Sequence, residues 1–162
     1  NPVPEMTFSL AAGLNWKGFD FSVLLQGATR SSIYLQGDIA WDNSWGNYYE
    51  EHIGRWTPET AATATYPRFT KAATAAHPNY YKSDYWLKDS KYLRLKNIQL
   101  GYTIPRKLLK KFGVRSLRVY ANAYNLFTWD NVKKVDPESS NNSNGQFYPQ
   151  QKVINFGINL NF

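Results

Sequence analysis

The chain has 162 residues, of which 17% are aromatic and 19% charged, and its formal net charge is +7. This aromatic content argues against an intrinsically disordered chain, because disordered segments are poor in aromatic residues. No apolar run approaches the roughly eighteen residues that a membrane-spanning helix needs, whereas spanning strands that alternate between lipid and water fit the low mean hydropathy of −0.55.

The positive charge lies mainly in two clusters, one at Arg94 and Lys96 and one within residues 104–115. A basic chain first suggests nucleic-acid binding. Here the clusters flank strands instead of forming one stripe, and zinc-finger, helix-turn-helix and RRM motifs are absent, so nucleic acid is not an expected partner. The sequence contains no cysteine, which excludes disulfides, zinc–cysteine sites and thiol nucleophiles.

Five segments alternate between apolar and polar residues with the period of two that is typical of strands. The predicted strands cover residues 6–16, 19–28, 93–103, 116–126 and 152–162. Lys17 and Gly18 form a tight reversal between the first two, because glycine readily takes a positive φ. In the connection 104–114, Pro105 ends a strand and the following residues form one or two helical turns that Gly113 closes. The remaining connections are much longer and cover residues 29–92 and 127–151.

The third predicted strand changes phase in its middle. Its apolar residues are Leu93 and Leu95 on one face, then Ile98, Leu100 and Tyr102 on the other. Either a bulge near Asn97 shifts the phase, or Arg94 and Lys96 stand above the lipid level on the outer face. The sequence leaves both alternatives open.

The lengths of the strands and connections indicate an all-β fold, namely five antiparallel strands of a transmembrane β-barrel. Eleven residues at about 3.3 Å each, tilted by about 45°, cover roughly 25 Å, which is the height of the apolar band on such barrels. The short turns 17–18 and 104–114 then face the periplasm, and the long loops 29–92 and 127–151 are extracellular. Aromatic residues expected at the periplasmic interface are Trp16, Phe19, Tyr102 and Phe162. Residues expected to face the lumen are Arg118, Tyr120, Asn122 and Tyr124.

The first long loop concentrates aromatic residues beside carboxylate and amide groups. Candidates for contact with a substrate or a lid protein are Trp41, Asp42, Trp45, Tyr48, Tyr49 and Trp56. Ring faces beside polar groups suit sugars, because a pyranose stacks on the ring and its hydroxyls take the polar partners. The alternative is that a loop of this length needs a small core of its own, which aromatic residues supply.

Catalytic chemistry is not expected. Glu50 and Glu51 are adjacent, so they need not converge across a bond as the two carboxylates of a glycosidase do. Asp136 and Glu138 are predicted to be turn residues, and the two histidines, His52 and His77, have no partner at metal-ligand spacing. GxSxG, phosphate-loop and metal motifs are absent, which predicts a non-enzymatic chain without a cofactor.

Six motifs follow one another along the chain. They are "RWTPE" at 55–59, "YPR" at 66–68, "SDYWLKDSKYLRLKNIQLGYTIP" at 83–105, "LRVYANAYNLFTW" at 117–129, "DPE" at 136–138 and "INFGINLNF" at 154–162. Together with the opening "PVPEMTFSLAAGLNWKGFDFSVLLQG", they resemble the last section of SusC/RagA-type TonB-dependent outer-membrane transporters. The resemblance covers nearly the whole of residues 1–162.

This resemblance implies a barrel of about 22 strands around an N-terminal plug, of which the chain would supply the last five strands and two outer loops. It implies import of oligosaccharides or peptides across the outer membrane of a Gram-negative bacterium. Implied partners are the rest of the barrel and its plug, a SusD-like surface lipoprotein that acts as a lid, the TonB complex through a part outside this chain, and outer-membrane lipid. Residues that resemble the C-terminal barrel-assembly signal are Phe156, Ile158, Leu160 and Phe162.

Five strands cannot close a barrel, and an open edge inside lipid would leave backbone groups unpaired. We therefore expect the chain to pair with more protein, which either is a separate chain or belongs to the same long chain. We favour a fragment or nicked product of one long chain, in keeping with a start in mid-pattern at Asn1. Two alternatives stay open. One is a soluble β-sandwich carbohydrate-binding module, which the long strands and uncovered apolar face argue against. The other is a porin-like wall segment without TonB dependence.

Overall fold

The structure, a computed structural model, describes residues 3–37, 40–42, 48–69, 78–132, 135–139, 148 and 150–162. Its strands are β1 (Met6–Trp16), β2 (Phe19–Thr29), β3 (Ser32–Tyr34), β4 (Leu87–Asp89), β5 (Tyr92–Thr103), β6 (Ser116–Asp130) and β7 (Val153–Asn161). Five of them form one antiparallel sheet in the order β1-β2-β5-β6-β7, and β3 pairs with β4 in a separate small sheet. The predicted all-β fold with five antiparallel strands is confirmed.

Strand β6 extends four residues beyond the predicted end at residue 126. Asn125 takes a positive φ of 50°, and the chain then continues to pair with β5 from Phe127 to Asp130. Phe127 and Trp129 stack on the same face of this extension, with ring centroids 6.1 Å apart. The other four strands begin and end within one residue of the predicted positions.

The short connections have the geometry that the sequence predicts. Lys17 and Gly18 both have positive φ, 47° and 92°, which is the conformation of a tight two-residue hairpin turn. The helix α1 (Arg106–Leu109) passes into a 3-10 helix at Lys110–Phe112, and Gly113, with a φ of 69°, ends it. No helix among the described residues is long and apolar enough to cross a membrane.

A β-bulge at Lys96 explains the phase change in β5. Leu24 of β2 pairs with Asn97 and Leu25 pairs with Leu95, so the register passes over Lys96. The bulge brings Leu93, Leu95, Ile98, Leu100 and Tyr102 to the same face. Of the two alternatives left open by the sequence, the structure contains the bulge; Arg94 is only 1% exposed and lies on the polar face, opposite Gln26.

The five-stranded sheet has one apolar face, and that face is exposed. Its exposed large side chains include Phe8, Leu10, Leu14, Phe21, Leu100, Val119, Ile154, Phe156, Ile158 and Leu160. Phe156 is 83% exposed, and the terminal Phe162, just beyond β7, is 74% exposed. A continuous apolar surface of this extent marks a contact with lipid or with another protein.

The opposite face of the sheet is polar and carries an internal ion pair. Arg118 donates from Nε to Oδ1 of Asp20 over 2.9 Å and from Nη2 to Oδ2 over 2.5 Å. The pair lies directly over Gly101, where an added Cβ would stand 2.5 Å from Arg118 Nη2. A larger residue here would therefore force the ends of these two charged side chains to move, whereas the backbone conformation at Gly101 does not require glycine.

Replacing Gly101 with alanine should displace the Asp20–Arg118 pair and lower stability by an amount bounded by about 1.5–3 kcal/mol, the contribution of a hydrogen bond to a charged group. The matched control is Gly13→Ala in β1, where the nearest atom to an added Cβ is 3.5 Å away. The measurement is the temperature at which the intact purified protein loses its folded band in semi-native gel electrophoresis. Equal transition temperatures for the two variants would contradict the prediction.

The two long loops share one hydrophobic core. Its buried residues are Ile33, Leu35, Ala40, Tyr66, Trp86, Val132 and Val135, with Tyr34, Trp41 and Phe69 packed against them. The first five belong to residues 29–92 and the last two to residues 127–151. The described parts of the two loops thus share one packed interior at the same end of the sheet.

Candidate functional site

The candidate site is a small open pocket on the surface of the first long loop. It has a volume of about 290 Å³ and is lined by Tyr48, Tyr49, His52, Ile53, Arg55 and Phe69; we call it the aromatic pocket. The 3-10 helix Glu50–Gly54 supplies His52 and Ile53. Tyr48 and Ile53 are 60% and 75% exposed, so the pocket presents ring and aliphatic surface directly to the outside.

His52 forms the floor of the aromatic pocket. It is 2% exposed, and its Nδ1 accepts a hydrogen bond from the N–H of Tyr49 over 3.1 Å. Its ring lies 4.6 Å from that of Tyr66 and 5.3 Å from that of Phe69. The sequence shows no partner for His52 at metal-ligand spacing, and in the structure the neighbours of its ring are aromatic side chains. The described residues contain no cluster of three or more potential metal-ligating side chains.

Arg55 gives the aromatic pocket a positive wall. Its guanidinium carbon lies 5.2 Å from the centroid of Phe69, and Nη1 donates to the carbonyl oxygen of His52 over 3.4 Å. The ring of Tyr48 stacks on Phe69 with a centroid distance of 5.5 Å. Aromatic faces, a cation and phenol hydroxyls together suit a ligand that has both an apolar face and hydrogen-bonding groups.

The predicted contact residues separate into two places. Tyr48 and Tyr49 line the aromatic pocket, whereas Trp41 packs on the loop core with its ring 4.8 Å from that of Tyr80. Asp42 is 1% exposed, and its carbonyl oxygen accepts from the Tyr80 hydroxyl over 3.1 Å. Asp42 therefore lies in the interior of the loop and contributes to its packing.

Of the other predicted loop residues, one lies away from the aromatic pocket and the rest are not among the residues that the structure describes. Trp56 is 39% exposed, and its backbone N–H donates to the carbonyl oxygen of Tyr66 over 2.9 Å. Trp45 and His77 lie outside the described residues. Among the members of the predicted set that the structure describes, Tyr48 and Tyr49 are the two that line one pocket together.

Buried tyrosine hydroxyls hold the loop core beside the aromatic pocket. Burial raises the pKa of Tyr66 well above its ordinary value, and its hydroxyl donates to the carbonyl oxygen of Ala40 over 2.7 Å. Burial, followed by the nearby Glu51 carboxylate, also raises the pKa of Tyr85, which donates to the carbonyl oxygen of Thr65 over 2.8 Å. Both phenols are neutral donors at neutral pH and act structurally.

A second cluster joins the other long loop to the sheet; we call it the acidic latch, formed by Asp136 and Glu138 on Arg94. Arg94 Nη2 donates to Asp136 Oδ2 over 2.7 Å, Nη1 donates to Glu138 Oε2, and Nε donates to Thr128 Oγ1 over 3.0 Å. The Tyr92 hydroxyl donates to Glu138 Oε1 over 2.6 Å. Further groups within 3.8 Å of the Glu138 carboxylate belong to Gln26, Lys96 and Gln150.

The acidic latch extends the sequence interpretation of Asp136 and Glu138. Asp136 is the turn residue that was predicted, since its Oδ1 accepts from the N–H of Glu138 over 2.9 Å. Glu138 is more than a turn residue, because its carboxylate also binds side chains of β2 and β5. The ion pairs between Arg94 and the two carboxylates could not be predicted from the sequence, because the partners are more than forty residues apart. The one indication in the sequence was an arginine among the apolar residues of a strand.

The residues predicted to face the lumen share the polar face of the sheet. Arg118 pairs with Asp20, and the Asn122 side chain accepts from Asn155 Nδ2 over 3.0 Å. Tyr120 covers Gly157, where an added Cβ would lie 2.3 Å from the ring. Tyr124 is 40% exposed on the same face, opposite Asn97.

Similarity along the whole of residues 1–162 connects this chain with known receptors. TonB-dependent receptor P26 of Formosa agariphila is 29% identical over 179 residues that cover 100% of the chain, and TonB-dependent receptor SusC of Bacteroides thetaiotaomicron is 25% identical over 99% of it. The predicted resemblance to SusC/RagA-type transporters is confirmed. No protein-family model matches the sequence.

Solved structures show the same fold for this SusC/RagA-like chain. The RagAB peptide importer in its open-open state superposes with a TM-score of 0.73 over 99% of the chain at 24% identity. A second structure, the RagAB peptide transporter, gives a TM-score of 0.74 over 97% of the chain. The chain spans 17% of the length of P26 and 15% of SusC, so it corresponds to a small section of each relative.

Proposed function

We propose that this chain forms part of the wall and outer mouth of a TonB-dependent, SusC-like transporter that imports nutrients across the outer membrane. The observation that carries the proposal is the five-stranded sheet with one exposed apolar face and one polar face crossed by the Asp20–Arg118 pair. A sheet with this division of faces suits lipid on one side and a hydrated lumen on the other. The similarity to P26 and SusC supports the same function.

The proposed orientation follows from the connections. The turns 17–18 and 104–114 lie on the periplasmic side, and the shared body of loops 29–92 and 127–151 lies at the extracellular mouth. Arg118, Tyr120, Asn122 and Tyr124 face the lumen and plug. Phe156, Ile158, Leu160 and Phe162 serve as the signal for assembly into the outer membrane.

The proposed partners are those of the SusC type. The remaining strands and plug complete the barrel, a SusD-like lipoprotein covers the mouth, and TonB supplies energy through a part of the transporter outside this section. The SusC-like chain itself performs no catalysis in this proposal. A soluble carbohydrate-binding module would expose Phe156 and Ile158 to water without compensation, which argues against that alternative.

The aromatic pocket is the proposed contact point for an oligosaccharide or peptide, or for the lid that delivers it. Tyr48, Tyr49 and Arg55 offer ring faces and a cation at the surface. Additional candidates from the same loop are Trp41, Asp42, Trp45 and Trp56. Of these, Trp56 is exposed, whereas Trp41 and Asp42 would act through the packing of the loop.

Replacing Tyr48 and Tyr49 together with alanine in the intact transporter should weaken the apparent affinity for its substrate about tenfold, because each lost ring removes roughly 0.5–1.5 kcal/mol of stacking. The measurement is the uptake of labelled oligosaccharides and peptides by cells that carry each variant. Tyr81 and Tyr148, which are 56% and 80% exposed and lie outside the aromatic pocket, provide the matched double-alanine control. Unchanged uptake at equal surface amounts of protein would refute the assignment.

A further inference from the structure

The connection between β5 and β6 is the most basic segment of the chain. Residues 104–115 contain Arg106, Lys107, Lys110, Lys111 and Arg115 and no acidic residue. All five cations are exposed, and none of the ion pairs found among the described residues involves them. The segment thus carries five positive charges, against a net charge of +7 for the whole chain; we call it the basic turn.

The basic turn also exposes two large apolar side chains. Leu109 is 7% exposed and packs inward, whereas Leu108 and Phe112 are 66% and 76% exposed. Leu108 lies in α1 and Phe112 in the 3-10 helix that continues it, and the protein leaves both side chains uncovered. Exposed leucine and phenylalanine between lysines form the pattern of a segment that lies in a lipid interface.

Backbone hydrogen bonds fix the basic turn at one end of the sheet. The N–H of Ile104 donates to the carbonyl oxygen of Leu117 over 2.9 Å, and the N–H of Arg115 donates to that of Asn161 over 2.8 Å. The second bond places Arg115 beside Asn161, the residue that precedes Phe162. This anchoring keeps the cations at a constant height relative to the strands.

Aromatic residues lie at the same end of the sheet. Trp16 and Phe19 are 61% and 45% exposed, and the ring of Phe19 lies 4.5 Å from that of Tyr102. Lys17 places its Nζ 5.0 Å from the Trp16 ring. Aromatic side chains with lysines next to them are typical of the level at which a barrel meets lipid head groups.

We propose that the basic turn binds anionic phospholipids of the periplasmic leaflet. The five cations contact the lipid phosphates, while Leu108 and Phe112 insert between the acyl chains. Charge complementarity favours an anionic lipid, and the exposed apolar pair favours a membrane over a free anion or a nucleic acid. The inference rests on the proposed function, since it requires the sheet to be part of a membrane barrel.

The test uses the intact transporter, extracted into detergent with equal parts of phosphatidylglycerol and phosphatidylethanolamine. The triple variant Lys107→Gln, Lys110→Gln, Lys111→Gln should retain several-fold less phosphatidylglycerol relative to phosphatidylethanolamine than the unchanged protein. The matched control removes three lysines from the loop end, Lys82→Gln, Lys88→Gln and Lys91→Gln, and should leave the ratio unchanged. Equal ratios in all three proteins would overturn the proposal.

A second measurement tests the apolar contact directly. A spin label on Phe112→Cys should be shielded from an aqueous relaxant in phosphatidylglycerol nanodiscs, whereas a label on Ile53→Cys, 75% exposed on the long loop, should stay accessible. Equal accessibility of the two labels, or cross-linking of position 112 to a periplasmic protein in cells, would refute lipid insertion. If the transporter imports nutrient but shows no lipid preference, only this inference fails; if it is absent from the outer-membrane fraction, the proposed function fails first.

Discussion

Replacing Arg94 with methionine should lower the free energy that holds the segment 135–139 on the sheet by about 3–5 kcal/mol, the usual cost of removing one partner of a buried ion pair. The Arg94 side chain is 2% exposed, and those of Asp136 and Glu138 are 12% and 24% exposed. The two carboxylates would therefore lose their main cation while still shielded from water. Lys96, at 3.8 Å from Glu138, can compensate only in part.

Hydrogen exchange of peptides that cover residues 135–139 in the intact transporter measures this loss. In the unchanged protein the latch should protect their amides, and in Arg94→Met exchange should be faster by a factor of a hundred or more, since each tenfold corresponds to about 1.4 kcal/mol. Arg30→Met is the matched control, because Arg30 and Glu5 form an exposed pair at 3.2 Å with side-chain exposures of 78% and 51%. Such a pair contributes less than about 1 kcal/mol.

A combined variant separates loss of the ion pair from loss of the arginine side chain. Arg94→Met with Asp136→Asn and Glu138→Gln removes charge on both sides, so it should protect the loop better than Arg94→Met alone. Similar exchange in the single variant and in the combined variant would show that packing around Arg94, not the charges, holds the loop. Exchange unchanged from the original protein in Arg94→Met would contradict the latch itself.

The strands could be predicted from the sequence because their pattern is local. In β1, and in β7 from Ile154 onward, apolar side chains alternate with small or polar ones, and only a strand places the two sets on separate faces. The reversal at Lys17 and Gly18 and the stop at Gly113 are equally local, since each depends on a positive φ. These features needed no knowledge of distant parts of the chain.

Contacts between distant residues could not be predicted in the same way. The bulge at Lys96 was one of two alternatives because its proof lies in the pairing of β5 with β2. The acidic latch joins Arg94 to Glu138, and the shared loop core joins Trp86 to Val132. From the sequence alone, each of these residues could be assigned only to a strand, turn or loop, whereas the tertiary fold decides which residues it contacts.

The candidate site, too, depends on contacts between distant residues that the sequence does not reveal. Aromatic content predicted either a ligand surface or a loop core, and the structure places Trp41 against the core but Tyr48 at the surface. The floor residue, His52, could not be assigned from the sequence, because the two rings nearest to it, Tyr66 and Phe69, are more than ten residues away and only the fold brings them to it. Only the fold of the loop separates supporting from exposed aromatic residues.

Substituting arginine for Leu10 should strongly impair insertion of the barrel, whereas arginine in place of its neighbour Ser9 should be tolerated. The two positions are adjacent in the middle of β1 but lie on opposite faces, since Leu10 pairs with Leu25 and Ser9 pairs with Gln26. Leu10 is 61% exposed on the apolar face. An arginine on the lipid face near the bilayer midplane costs about 2–4 kcal/mol, while a lumen-facing arginine stays hydrated.

The measurement is the amount of folded transporter in the outer-membrane fraction, together with its unfolding midpoint in lipid vesicles. We expect Leu10→Arg to be depleted and destabilised and Ser9→Arg to match the original protein. The opposite ranking would place lipid on the polar face and reverse the assignment of lumen residues such as Asn122. Equal behaviour of the two variants would favour a soluble sheet, because in water an exposed leucine can become arginine at little cost. The comparison thus tests the membrane environment of the sheet without requiring the substrate to be known.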